Sequence, residues 1–130
     1  MTFTVAQIKA AHAKVKSGAD FPQYIRDIRA LGVEAFETRV KDSQTVYFGS
    51  NGFDSASEPM YDELTIADNT RSVEFVSRLK AHQRGETDYF TFCRDCAESG
   101  IEKWVVNLEA LTCIYFDKAG NEILTEQIPQ

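Results

Sequence analysis

One hundred and thirty residues, 43% of them hydrophobic, suit one domain with a real core and are too few for two independent ones. Twenty acidic side chains against fourteen basic ones give a formal charge of −6, which opposes nucleic acid or an anionic membrane as partner. The first residues lack the basic and apolar regions of a leader, no run of about 18 apolar residues occurs, and three cysteines are an odd number for a disulfide framework. A cytoplasmic protein with reduced thiols is expected.

In chain order, Thr4-Val-Ala-Gln7 has the capping-box pattern of a helix start, and Val5, Ile8, Ala11, His12 and Val15 follow at helical spacing. Ser17-Gly18 is the expected stop. Asp20 is expected to cap a second helix, with Pro22 in its first turn and Gln23 as box partner. Phe21, Tyr24, Ile25, Ile28 and Leu31 form one apolar stripe, and Gly32 supplies the left-handed residue that ends it.

From Val33 the period changes to two. Phe36, Thr38 and Val40 share a face, Lys41-Asp42-Ser43 turns, and Val46 and Phe48 alternate with Tyr47, which predicts a hairpin followed by a Ser50-Asn51-Gly52 turn. Phe53 to Arg71 is more acidic, with Asp54, Glu58, Asp62, Glu63 and Asp68. It is read as a loop, a third strand at Tyr61, Leu64 and Ile66, and another loop.

The same order then recurs. Ser72 starts a helix with Val73, Val76 and Leu79 inward and Gly85 after it. Asp88 caps a fourth helix with the stripe Tyr89, Phe92, Cys93 and Cys96, ended by Gly100. Three strands are expected, Ile101 to Leu108, Leu111 to Asp117 and Glu122 to Ile128, with Lys118-Ala-Gly-Asn121 as a hairpin turn.

The recurrence extends to residue identity. Asp20 to Gly52 aligns with Asp88 to Gly120 without a gap at an offset of 68, with 8 of 33 positions identical. About two matches are expected by chance at roughly 6% per position. The expectation is a single α+β domain over residues 1–130, built from an internally duplicated α-α-β-β-β unit (about 4–66 and 72–128). Its antiparallel strands form one sheet or two abutting sheets covered by helices, with the halves about a pseudo-two-fold axis.

Three sets of residues carry any chemistry. Cys93-Arg94-Asp95-Cys96 has the spacing of a thiol or zinc site, for which Cys113 could supply a further ligand. However, the alignment sets these cysteines against Ile25 and Ile28, and the cap at Asp88 puts Cys93 in the second helical turn. The plainer reading is core thiols, so no metal and no cofactor are expected. His12 and His82 are not equivalent under the offset and read as boundary residues.

The polar residues that both halves share are Arg26, Asp27, Glu34 and Tyr47 with Arg94, Asp95, Glu102 and Tyr115. They could line a pseudo-symmetric ligand site, or brace helix against sheet as ordinary ion pairs. Asp20 and Asp88 are better explained as caps, and Phe36 and Trp104 as core. The leading functional expectation is a non-catalytic interaction or structural module with an unknown protein partner or a second copy of itself. Its alternatives are the thiol or metal site and the small-molecule site.

The string from Thr87, TDYFTFCRDCAESGIEKWVV, with DKAGNE after it, QIKAAH from Gln7 and SGADFP from Ser17, resembles the YbcV-like family of small bacterial and prophage proteins. The resemblance covers nearly the whole chain. It implies a stand-alone α+β domain of unknown activity, with no family catalytic residues to carry over. The label phage envelope protein, often given to this family, implies a virion role.

Overall fold

In the computed structural model, which describes residues 2–16 and 20–128, the capping box forms at the first helix. Thr4 Oγ1 accepts the Gln7 N–H at 3.2 Å and Thr4 N–H donates to Gln7 Oε1 at 2.9 Å, which opens α1 (Val5–His12). The expected stop at Ser17-Gly18 lies outside the described residues. Helix α2 (Phe21–Leu31) has Pro22 in its first turn, and Gly32 ends it at φ 112.

Asp20 does not cap α2. Its backbone is helical (φ −88, ψ −8), whereas a capping residue is extended, and its carboxylate instead accepts the Lys16 N–H at 2.9 Å. Gln23 bonds Asp27 and Arg26 on its own helix rather than reaching back to Asp20.

The strands are β1 (Ala35–Arg39), β2 (Thr45–Phe48), β3 (Asp54–Ala56), β4 (Ile101–Asn107), β5 (Thr112–Asp117) and β6 (Glu122–Gln127). They form one antiparallel sheet in the order β3-β2-β1-β4-β5-β6. Helices α3 (Ser72–Gln83) and α4 (Tyr89–Glu98) lie between β3 and β4 in the chain. Among the described residues the fold is therefore α+β, with four α-helices and a six-stranded sheet.

Two further expectations are corrected. The third strand is Asp54–Ala56 and not the Tyr61, Leu64, Ile66 alternation, because those side chains dock as a loop. Ile66 is buried, and the Leu64 and Met60 N–H groups donate to Lys41 and Asp42 carbonyls in the β1–β2 turn. Val73 is 87% exposed, since α3 turns Phe75 and Leu79 inward, and Arg71 precedes the helix without a side-chain cap.

Strand alternation divides the sheet into two faces. Phe36, Thr38, Trp104, Val106, Cys113 and Tyr115 are buried on one, where helix side chains meet them. Phe75 packs on Tyr115 at 5.0 Å and Phe92 on Trp104 at 5.8 Å, while Ile8, Ala11, Ile25 and Ile28 join the same core cluster. Burying one large apolar side chain is worth roughly 1.5–3 kcal/mol, so this face carries most of the stability. On the other face Val46, Val105, Ile114 and Phe116 are half-buried and stand outside that cluster, and Phe48 is exposed.

Candidate functional site

The three thiols are free and buried, and helix α4 places two of them. Asp88 Oδ1 accepts the Thr91 N–H at 2.8 Å, which fixes the helix start and leaves Cys93 and Cys96 on the inner stripe. Burial pushes the Cys93 thiol up, holds Cys96 well above the ordinary value, and raises Cys113 to about 12. Such thiols stay protonated near neutral pH, where they are weak nucleophiles and weak ligands.

Beside Cys93, Tyr61 donates its hydroxyl to the Val40 carbonyl, and the Tyr89 hydroxyl lies 2.6 Å from Ser43 Oγ. Burial also raises both tyrosines, so the cluster is a set of neutral hydroxyls and a neutral thiol. Among the described residues no three His, Cys, Asp or Glu side chains are grouped to hold a metal. His12 lies edge-on to Tyr24 at 5.2 Å, and His82 stacks on Phe92 at 4.5 Å with Nδ1 3.1 Å from the Thr87 carbonyl.

The eight shared polar residues occupy several places. Tyr47 and Tyr115 project to the helix side of the sheet, Tyr47 packed on Phe36 at 5.6 Å and Tyr115 between Phe75 and Trp104. Asp95 pairs with Arg78 at 3.1 Å, and Arg78 also binds Glu74 and Glu98, a network that sequence reasoning missed because its members come from two helices. Arg26 donates to Gln23 at 2.9 Å, Asp27 accepts from Gln23, and Arg94 is exposed.

Glu34 and Glu102 have exposed side chains and sit at opposite ends of the β1–β4 pairing. Val40 N–H donates to the Glu102 carbonyl at 2.9 Å, and Leu108 N–H to the Glu34 carbonyl at 3.0 Å.

The two ends of this seam differ. At the end holding Glu102, the segment from Ser57 to Arg71 lies across the surface. Leu64 N–H donates to Lys41 O, Ala67 N–H to Ala97 O and Arg71 N–H to Ser99 O, at 2.7 to 2.9 Å. Lys41 pairs with Glu63 at 3.3 Å and Lys118 with Asp68 at 2.8 Å. A Cβ on Gly100 would stand 2.8 Å from the Asn69 carbonyl oxygen, which is why glycine is required at that close approach, quite apart from its φ of 82.

At the end holding Glu34 there is a groove of about 300 Å³ lined by Arg29, Gly32, Val33, Glu34, Ser50, Leu108 and Glu109. Of the eight shared residues, Glu34 borders it. No sequence motif marks it, because the lining comes from both halves of the chain.

No described helix is long and apolar enough to cross a membrane. The architecture is that of an α+β protein with helices packed on an antiparallel sheet, its thiols held inside and a shallow groove at one end of the central strand pair. The chain matches the family described as protein of unknown function (DUF1398) over residues 9–127, and it belongs to that family. No curated protein matches it.

Proposed function

We propose that the chain is a non-catalytic, cytoplasmic interaction module, formed by fusion of two α-α-β-β-β units about a pseudo-two-fold axis through the β1–β4 pair. One observation carries the fusion. The register Ala35–Asn107, Phe36–Val106, Glu37–Val105, Thr38–Trp104, Arg39–Lys103 maps onto itself when 68 is added to one member and subtracted from the other, with Glu37–Val105 at its centre. The two bonds that flank the seam exchange in the same way, Val40 to Glu102 with Leu108 to Glu34.

Backbone and burial agree with this reading. Among the described residues six of the eight left-handed ones fall in offset pairs, Gly32 with Gly100, Ser43 with Leu111 and Gly52 with Gly120, while Asn51 and Gly85 do not. Several fully buried residues also pair, Ile25 with Cys93, Ile28 with Cys96, Val33 with Ile101 and Val40 with Leu108. The β1–β2 register, Phe36–Tyr47, recurs as Trp104–Tyr115 in β4–β5. Under this reading Tyr47 and Tyr115 belong to the core, Asp95 to the Arg78 network, and Glu34 to a recognition surface. A phage-related origin rests on the resemblance of the Thr87 segment to YbcV-like proteins.

The proposed partner across the sheet is a second copy. Six strands about 4.8 Å apart and three rows of side chains on the uncovered face span on the order of 500 Å² in projection. With side-chain relief this approaches the ~800 Å² per partner of a stable interface. A twisted sheet also packs best on a sheet of the same twist, which another copy supplies. The test is sedimentation of the full chain and of Ile114→Glu, whose side chain lies outside the core. The expected result is a dimer that becomes a folded monomer in the variant; a wild-type monomer at high concentration refutes the dimer.

A further inference from the structure

We infer that the groove beside Glu34 is a docking site for an extended peptide segment of a partner protein, one with a basic residue at its centre. The inference rests on the fused-copy reading, and the carrying observation is what the lining residues become when 68 is added or subtracted. Arg29, Gly32, Ser50, Leu108 and Glu109 correspond to Ala97, Gly100, Lys118, Val40 and Lys41. All five of those hold the 57–71 segment. Ala97 and Lys41 accept its N–H groups, Gly100 admits its backbone, Lys118 pairs with Asp68, and Val40 accepts the Tyr61 hydroxyl. The fold thus has two equivalent seats for an extended segment, and the chain fills one from within.

The described chain approaches the second seat from both sides. Ile128 N–H donates to the Leu111 carbonyl at 2.7 Å, within one residue of the offset counterpart of the Met60 N–H bond to the Asp42 carbonyl, and Phe3 stands at the position equivalent to Arg71. Among the described residues no segment crosses this groove as residues 61–68 cross the other seat. An extended peptide there would meet the Arg29 and Glu109 carbonyls as acceptors for its own N–H groups, the main-chain recognition that strand-like ligands use.

The charge of the two seats identifies the class of peptide. The filled seat presents Lys41 and Lys118 against Glu102 to an acidic segment, and Lys41 binds Glu63. The seat beside Glu34 presents Glu34 and Glu109 against Arg29, the opposite balance. Glu109 stands in the place of Lys41, so a partner should carry Lys or Arg where the internal segment carries Glu63.

The probe is therefore a synthetic peptide copying residues 58–71 with Glu63→Lys, titrated into the full isotope-labelled chain and followed by backbone amide shifts, with the unexchanged peptide as control. Saturable shifts at Gly32, Glu34, Leu108 and Glu109 are expected, with the exchanged peptide binding about fivefold tighter, the effect of one partly exposed ion pair. Glu109→Lys in the protein should reverse the preference. Absent shifts, equal binding of the two peptides, or shifts centred on Lys41 and Gly100 overturn the assignment. The amide shifts of the free chain judge the fused-copy reading separately. Strands at matching positions in both halves without peptide binding reject the groove alone, whereas strands that do not correspond across the offset reject the fusion.

Discussion

Helices α2 and α4 present different chemistry to the same sheet. Ile25 and Ile28 fill the inner face of one, Cys93 and Cys96 that of the other, and all four are 0% exposed. The C-x-x-C spacing by itself points to metal or redox work, yet its surroundings treat sulfur as a small apolar group. Desolvation raises both thiols, and the helix N-terminus that would stabilise a thiolate is a turn away, closed by the Asp88 cap. The comparison teaches that the setting of a cysteine pair, rather than its spacing, decides its chemistry.

Truncation tests this contrast most strongly. Ile28→Ala removes a large buried side chain and should lower stability by about 2–5 kcal/mol, while Cys96→Ala at the matching site removes far less volume and should cost about 1–2 kcal/mol. Urea unfolding of both variants measures the two. A Cys96→Ala loss as large as that of Ile28→Ala would mean that the sulfur does more than fill space.

The ends of the same helices offer a finer contrast. Ser99 follows α4 where Leu31 ends α2, and its hydroxyl is buried with no hydrogen-bond partner among the described residues. Ser99→Ala should therefore raise stability by about 0.5–1 kcal/mol in thermal unfolding, because it removes an unsatisfied polar group. A loss would show that the hydroxyl has a partner after all.

The smallest effect concerns the histidines. His82 stacks on Phe92, and burial holds its pKa below the ordinary value, with the Thr87 carbonyl acting in the opposite direction. The folded state thus prefers the neutral ring. The corresponding stability is present above the unfolded pKa of about 6.5 and declines as pH falls from there toward the folded value. Urea midpoints at about pH 7.5 and about pH 5.5 should differ less in His82→Gln than in the wild type. An unchanged difference would place the pH dependence elsewhere.

Much of the fold was legible because local rules and burial agreed. The caps at Thr4 and Asp88, the left-handed Gly32 and Gly100, and the period-two runs of β1, β2, β4, β5 and β6 all lie where the pattern put them. The third strand was not. Asp54–Ala56 is a short edge strand without an apolar alternation, and the alternation that drew attention belongs to a loop whose side chains dock on the β1–β2 turn. Val73 was misread because Phe75, two residues on, sets the phase of α3. The groove was illegible for a different reason. Its lining comes from α2, the α2–β1 link, the β2–β3 turn and the β4–β5 turn, and it gains meaning only when compared with the seat that the 57–71 segment occupies.

The central claim is that two equivalent units meet at the β1–β4 pair, and amide hydrogen exchange at two positions tests it most directly. The Val40 and Leu108 N–H groups make the paired bonds across the seam, from residues 0% exposed. Both should exchange only through global unfolding, at matching free energies. Rapid local exchange at one of them while the other stays protected would contradict the equivalence.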